Sequence, residues 1–276
     1  NLDIRTTGIP DEPVMNFQFG SGWNSNSSDK FISYEGGDDD WQGSDDGTRA
    51  LPGTIKNAIQ EYQGDLSANG ILRGLNRDGQ PHSIAQAQAI NRELATSLNR
   101  NVEFKRDSTD PDYTLEAALG NSWYIGEQER WRVGVLALGD YKNQSRNRER
   151  ITRDASDPDD LYFNTQRSVN QVALTGSLNL GLEYGEDHTF EPTGLYLRNT
   201  EDEASLSTGH TFNFTRADGR QLRNYRIRYE ERELELVQFR GSHTLGQDTL
   251  DVVGLSDAEW LGFARDLNVS WFYSDA

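Results

Sequence analysis

The chain has 276 residues, no cysteine and a formal net charge of -18, which excludes nucleic acid as a partner because phosphate binding needs a basic surface. No run of about 20 apolar residues is present, which excludes a transmembrane helix. The mean hydropathy of -0.80 still leaves a β-barrel open, since a barrel shows only alternate residues to lipid.

The opening Asn1-Leu2-Asp3-Ile4-Arg5 carries no signal-peptide pattern, so the chain reads as a mature product or an internal piece of something longer. A first strand is expected from Val14 to Asn24, followed by a very long connection over residues 25–112. Within it, Ser83-Ile84-Ala85-Gln86 reads as a capping box. The stripe Ile84, Ala87, Asn91, Leu94 and Leu98 then predicts a helix to about Leu98, and a shorter one is expected over Thr54–Tyr62. A second strand is predicted over Tyr113–Ile125. A short turn, Gly126 to Arg130, leads to a third strand from Trp131 through Tyr141. A polar connection is expected over residues 143–166.

The next strand, Arg167–Tyr184, is the clearest. Val172, Leu174, Gly176, Leu178, Leu180, Leu182 and Tyr184 fall on one face, and Gln171, Ala173, Thr175, Ser177, Asn179, Gly181 and Glu183 on the other. Successive strand side chains alternate faces, so one side is oily and the other wet. So long an alternation suits a tilted strand with lipid outside and water inside. A turn at Gly185-Glu186-Asp187-His188 leads to a strand over Thr189–Thr200, then a polar connection over 201–222. The last two strands are expected over Arg223–Thr244, centred on Val237, Phe239 and Gly241, and over Phe263–Ser274.

Short turns alternating with long loops is the rhythm of an outer-membrane barrel, with the short turns periplasmic. Trp123, Trp131, Tyr184 and Phe190 cluster beside the short turns, where a girdle of aromatic side chains belongs. The expected fold is therefore all-β: an antiparallel transmembrane β-barrel segment of about seven long strands, with long extracellular loops containing short helices. An odd count and open edges cannot stand in lipid, so the segment is expected to belong to a larger barrel.

Several motifs, in order, resemble TonB-dependent outer-membrane receptors of a proteobacterial group. They are Gly36-Gly37-Asp38-Asp39-Asp40-Trp41-Gln42-Gly43-Ser44-Asp45-Asp46-Gly47-Thr48-Arg49-Ala50-Leu51-Pro52, Pro111-Asp112-Tyr113 leading to Leu119-Gly120-Asn121-Ser122, and Leu197-Arg198-Asn199-Thr200-Glu201-Asp202-Glu203-Ala204. Glu231-Arg232-Glu233-Leu234, continuing to Gly241-Ser242-His243-Thr244-Leu245-Gly246, is similar too. Leu2-Asp3-Ile4-Arg5-Thr6-Thr7-Gly8 resembles the last strand of the plug in such receptors. The resemblance implies a plug end and linker at residues 1–13, and at 14–276 the N-terminal part of a barrel of about 22 strands. It implies uptake of a scarce nutrient captured by the outer loops, residues 31–52 among them. The implied partners are the remaining plug and strands, outer-membrane lipid, and a TonB complex reached through an N-terminal segment. The connection over 247–262 is long for a periplasmic turn.

Asp38, Asp39, Asp40, Trp41, Asp45, Asp46 and Arg49 are the candidate ligand or gating residues. Closely spaced carboxylates among glycines can gather oxygens for calcium, which makes Asp38, Asp40, Asp45 and Asp46 a candidate Ca2+ site, though not at EF-hand spacing. The same composition suits a solvated turn. The four histidines show no metal-ligand spacing, and Asp187-His188 has no nucleophile near it in sequence. No Ser-His-Asp order, phosphate loop or HExxH is present, so no enzyme is expected. The sign alternation of Arg226, Arg228, Arg232, Glu231, Glu233 and Glu235 predicts cross-strand ion pairs. Two other readings stay open: a passive porin-like or structural barrel, and a soluble calcium- or carbohydrate-binding β-protein.

Overall fold

The structure, a computed structural model, describes residues 9–25, 30–100, 102–126, 129–157, 161–255, 257, 262 and 264–276. The plug-like stretch Leu2–Gly8 lies outside them. The chain forms two compact units. One comprises the N-terminal residues to Ser33, Trp41–Gly43 and Arg106–Ala276; the other comprises Tyr34–Asp40 and Ser44–Lys105.

The first unit is a seven-stranded antiparallel sheet in chain order. Its strands are β1 (Val14–Gly22), β4 (Asp112–Ile125), β5 (Trp131–Arg153), β6 (Leu161–Tyr184), β7 (His188–Thr211), β8 (Leu222–Thr244) and β9 (Asn268–Asp275). Two short strands, β2 (Phe31–Ser33) and β3 (Lys105–Asp107), pair separately. β1 and β9 are the edges, and the described strands do not close on one another. The chain is therefore mostly β, built on an open antiparallel sheet, with helices in the second unit.

The register sorts side chains into two faces. On the first, Met15, Leu119, Ala137, Leu178, Gly194 and Val237 lie in one cross-strand row. Their large members are exposed: Met15 by 77%, Leu119 by 44%, Leu178 by 48% and Val237 by 49%. A lower row runs Trp123, Val133, Leu182, Phe190, Gly241 and Trp271. Below that row, Trp131 packs on Tyr184 with ring centroids 4.7 Å apart. The apolar rows run from Leu115 to Ile125 in β4 and from Leu174 to Tyr184 in β6. That is about 11 residues, the length of a tilted bilayer crossing.

The opposite face is polar and better covered. Leu136, Asn179, Thr193 and Gln238 share a row and are all buried, and Thr193 Oγ1 donates to Asn179 Oδ1 at 3.0 Å. Towards the short-turn end Ile9 lies so close that a Cβ on either Gly134 or Gly181 would run into it. Pro10 O accepts from Ser122 Oγ at 2.9 Å and from Arg132 at 3.0 Å. Arg132 also pairs with Asp11 at 2.7 Å and with Glu183 at 3.2 Å. Residues just after the plug-like stretch thus cover this polar face, not the apolar one.

Two expected loops are mostly strand. β5 continues to Arg153 and β6 begins at Leu161; β7 continues to Thr211 and β8 begins at Leu222. The connections therefore shrink to residues 154–160 and 212–221. These extensions carry polar residues on both faces, so no apolar alternation marked them. At 24 residues, β6 spans roughly 80 Å along its axis, well beyond a bilayer core of about 30 Å. Val172, expected on the oily face, is buried under protein. Gly43 sits against it with φ +75, and Thr200 Oγ1 donates to Gly43 O. Nearby, Ile32 N donates to the buried Ser168 Oγ at 2.9 Å.

The second unit is helical. α1 (Gly53–Glu61), α2 (Ala68–Leu75) and α3 (Ile84–Ser97) pack Ala58, Tyr62, Ile71 and Ala87 into a small core. The predicted capping box at Ser83 and Gln86 is formed. α2 was not expected, because Asn69-Gly70 reads as a turn and glycine disfavours helix. Gly70 is needed there because a Cβ would strike Asp65.

The connection after β8 opens with a further helix, α4 (Gln247–Val252), whose Leu250 is buried. Asp187, buried in the β6–β7 turn, accepts from Thr249 N and Thr249 Oγ1, each at 2.7 Å, and so caps α4. Asp187→Ala is expected to lower stability by about 1–2 kcal/mol, read by denaturant unfolding, because those donors lose their acceptor.

Candidate functional site

The acidic loop is organised around a cation that the chain itself supplies. Arg49 Nη1 and Nη2 donate to the two carboxylate oxygens of Asp40, each at 2.6 Å. Arg49 also pairs with Asp45 at 3.2 Å and donates through Nε to Tyr34 Oη at 2.7 Å. A bidentate guanidinium–carboxylate pair is the strong form of this bond. Asp46 faces elsewhere. Its carboxylate accepts from Thr48 Oγ1, from Asp38 N and from Thr48 N, and the Thr48 hydroxyl above all holds its pKa down at about 2.

Asp38, Asp40, Asp45 and Asp46 therefore do not converge on calcium: two bind Arg49, one closes a turn, and Asp38 enters through its amide. Among the described residues no group of three or more His, Asp or Glu side chains is placed to hold a metal. Asp39 contributes its carbonyl, accepting from Ser44 N at 3.4 Å. Trp41 belongs to the sheet unit, where its carbonyl accepts from Tyr141 Oη while its ring is 62% exposed. Of the seven expected residues, the structure gathers Asp40, Asp45 and Arg49 into one cluster. Arg49→Met should strand two partly buried carboxylates. Expected is a loss of about 2 kcal/mol and faster proteolysis within residues 38–48, read by limited digestion.

At the β6–β7 turn the fold joins groups that are distant in sequence. His188 Nδ1 lies 3.3 Å from His243 Nδ1, and Thr249 Oγ1 lies 2.9 Å from His188 Nε2. A hydroxyl is therefore near Asp187-His188 after all. It has one proton, which it gives to Asp187. With that proton donated to Asp187, a protonated His188 Nε2 completes the cluster by donating to Thr249 Oγ1. The cluster is a structural latch on α4.

Charge on the strand extensions forms a site that the sequence reading missed. Arg167 binds Glu201 at 2.9 Å and Glu203 at 2.7 Å. The Glu203 side chain is only 4% exposed, and the Arg167 guanidinium holds its pKa below the ordinary carboxylate value. Arg146, Arg148, Arg167, Val169, Gln171 and Glu201 line a cavity of about 150 Å³. Of the expected cross-strand pairs on β8, Glu231 reaches Arg198 at 3.8 Å. Arg228 and Arg232 instead bind Glu230, two residues away on their own strand.

Comparison of the chain with family models, characterised proteins and solved structures found no match.

Proposed function

We propose that the chain is the plug end and N-terminal barrel segment of a TonB-dependent outer-membrane transporter, which captures a scarce nutrient outside the cell and imports it. The observation that carries this reading is the exposed apolar face, continuous across β1 and β4–β8 in register and rimmed by Trp123, Trp131 and Trp271. A water-soluble protein seldom leaves so broad an apolar patch uncovered, whereas lipid requires it. Among the described residues β1 and β9 each pair on one side, which calls for further strands of the same receptor, about 22 in all by the resemblance, since open edges are not tolerated in lipid. Ile9–Asp11 on the polar face supports the assignment of that face to the lumen, where a plug would sit. The helical unit and the strand extensions then stand outside the cell and take part in capture. The work is binding and displacement, not bond-making.

Uptake tests it. Cells lacking the gene are grown on a panel of scarce nutrients, and uptake of the affected nutrient is followed with and without a protonophore. Expected is a defect on one nutrient class, with uptake that collapses when the proton gradient is removed. Uptake that rises linearly with concentration and ignores the protonophore would mean a passive barrel.

A further inference from the structure

The strand extensions separate charge by face. On the polar face, two cross-strand rows run Arg146, Val169, Glu203, Arg228 and Arg148, Arg167, Ser205, Arg226. The second row holds three arginines and no carboxylate. Like charges directly opposite one another destabilise a sheet. A chain with 18 more negative than positive side chains nevertheless builds this row into its longest strands. Asp202, Glu231, Glu233 and Glu235 point to the other face.

On the polar face of the strand extensions the carboxylates are already engaged. Glu201 and Glu203 bind Arg167, and Glu230 binds Arg228 and Arg232. Among the described residues Arg146 reaches a neutral partner, donating to Gln144 Oε1 at 2.8 Å, and makes no ion pair. Among the described residues Arg148 makes no ion pair. Both are exposed and line the cavity beside Arg167.

We infer that this row is an anion-binding surface for a soluble ligand bearing several carboxylate or phosphate groups, an acidic oligosaccharide being the class that fits an extended row. Guanidinium forks at strand spacing can take successive oxyanions side by side. A one-signed cleft also raises the local concentration of such a ligand. This inference rests on the receptor reading, which turns the polar face towards the lumen mouth.

The test uses the whole receptor purified into nanodiscs of zwitterionic lipid. Binding of hexagalacturonate, inositol hexakisphosphate and neutral maltohexaose is measured by calorimetry at low and high salt. Expected is binding of at least one anionic probe, weakened by salt, with maltohexaose at least tenfold weaker. Arg148→Ser, at an exposed and unpaired position, should weaken the anionic probe at least fivefold, and Arg146→Ser with Arg148→Ser at least tenfold. Thr175→Ser, lower on the same face, should change nothing. Equal binding of the neutral sugar, binding of neither anionic probe, or no effect of the double variant would overturn the inference. Anion binding without protonophore-sensitive uptake would leave the site standing on a passive barrel. Energised uptake without anion binding would remove only the site.

Discussion

On the proposed receptor reading, Leu178→Arg is expected to abolish accumulation of the protein in the outer membrane, while Ser177→Arg, one residue away, leaves most of it in place. Leu178 sits in the middle of the exposed apolar row, between Ala137 and Gly194, both too small to shield it. A guanidinium at the midplane of a lipid-facing strand costs about 2–4 kcal/mol. It also cannot snorkel far, since the apolar band continues through Leu180 and Leu182 towards one interface and Leu174 towards the other. Ser177 points to the polar face, beside Leu138 and Leu195 in register. A long cation there can lean along the polar rows towards water. The pair of variants differs by one residue in sequence and by a whole face in the sheet, because the side-chain period is 2. The measurement is the amount of receptor in isolated outer membranes, with its resistance to extraction by alkaline carbonate.

The second large effect belongs to Arg167. Among the described residues Arg167 is the one guanidinium bonded to Glu203, whose side chain is 4% exposed, and Arg167→Met leaves that carboxylate buried with only the more distant charges of Arg226 and Arg228. Breaking a buried pair from one side costs about 3–5 kcal/mol. Arg167 is itself 37% exposed and partly screened, so about 2 kcal/mol is expected. The pH dependence has a definite sign. The folded pKa of Glu203 is depressed, chiefly by its bond from Arg167. The stability it contributes is present above the ordinary carboxylate value of 4.5 and is lost as pH falls through the depressed value. In Arg167→Met this acid-sensitive component should shrink to what Arg226 and Arg228 supply, so that the gap between wild type and variant narrows as pH falls through the depressed value. Thermal unfolding of the strand extensions across pH 3 to 7 reads both effects. Parallel curves with no convergence would assign the loss to packing of the Arg167 stem instead.

Legibility followed the solvent. Where one face carries large apolar side chains and the other polar ones, as from Leu174 to Tyr184, alternation is strong enough to place strand, face and length. Where both faces are wet, as over 143–153 and 201–211, the same backbone leaves no hydrophobic period, and the strands read as loops. Arg146, Arg148 and Arg150 at every second position were the available clue, since two-residue spacing keeps them on one face. Their meaning still needed the register, which sets Arg148 opposite Arg167 and Arg226 in line with both. The acidic loop was ambiguous for a different reason. Asp and Gly at close spacing suit a calcium loop and an arginine-anchored turn equally, and only the coordinates show Arg49 filling the centre. α2 was hidden by glycines kept for close packing, and the latch at Asp187, His188 and Thr249 by the separation of 61 positions from His188 to Thr249.

The most direct measurement is spin-label accessibility on the apolar row. This chain contains no cysteine, so Leu119→Cys, Leu178→Cys and Val237→Cys each introduce one label site in it. In the whole receptor reconstituted into bilayers, collision rates with oxygen and with a water-soluble nickel chelate report the solvent at each position. Lipid facing this row gives high oxygen and low nickel accessibility at all three. High nickel accessibility at all three, with oxygen no higher than in water, would put the row in aqueous solvent and contradict the membrane assignment.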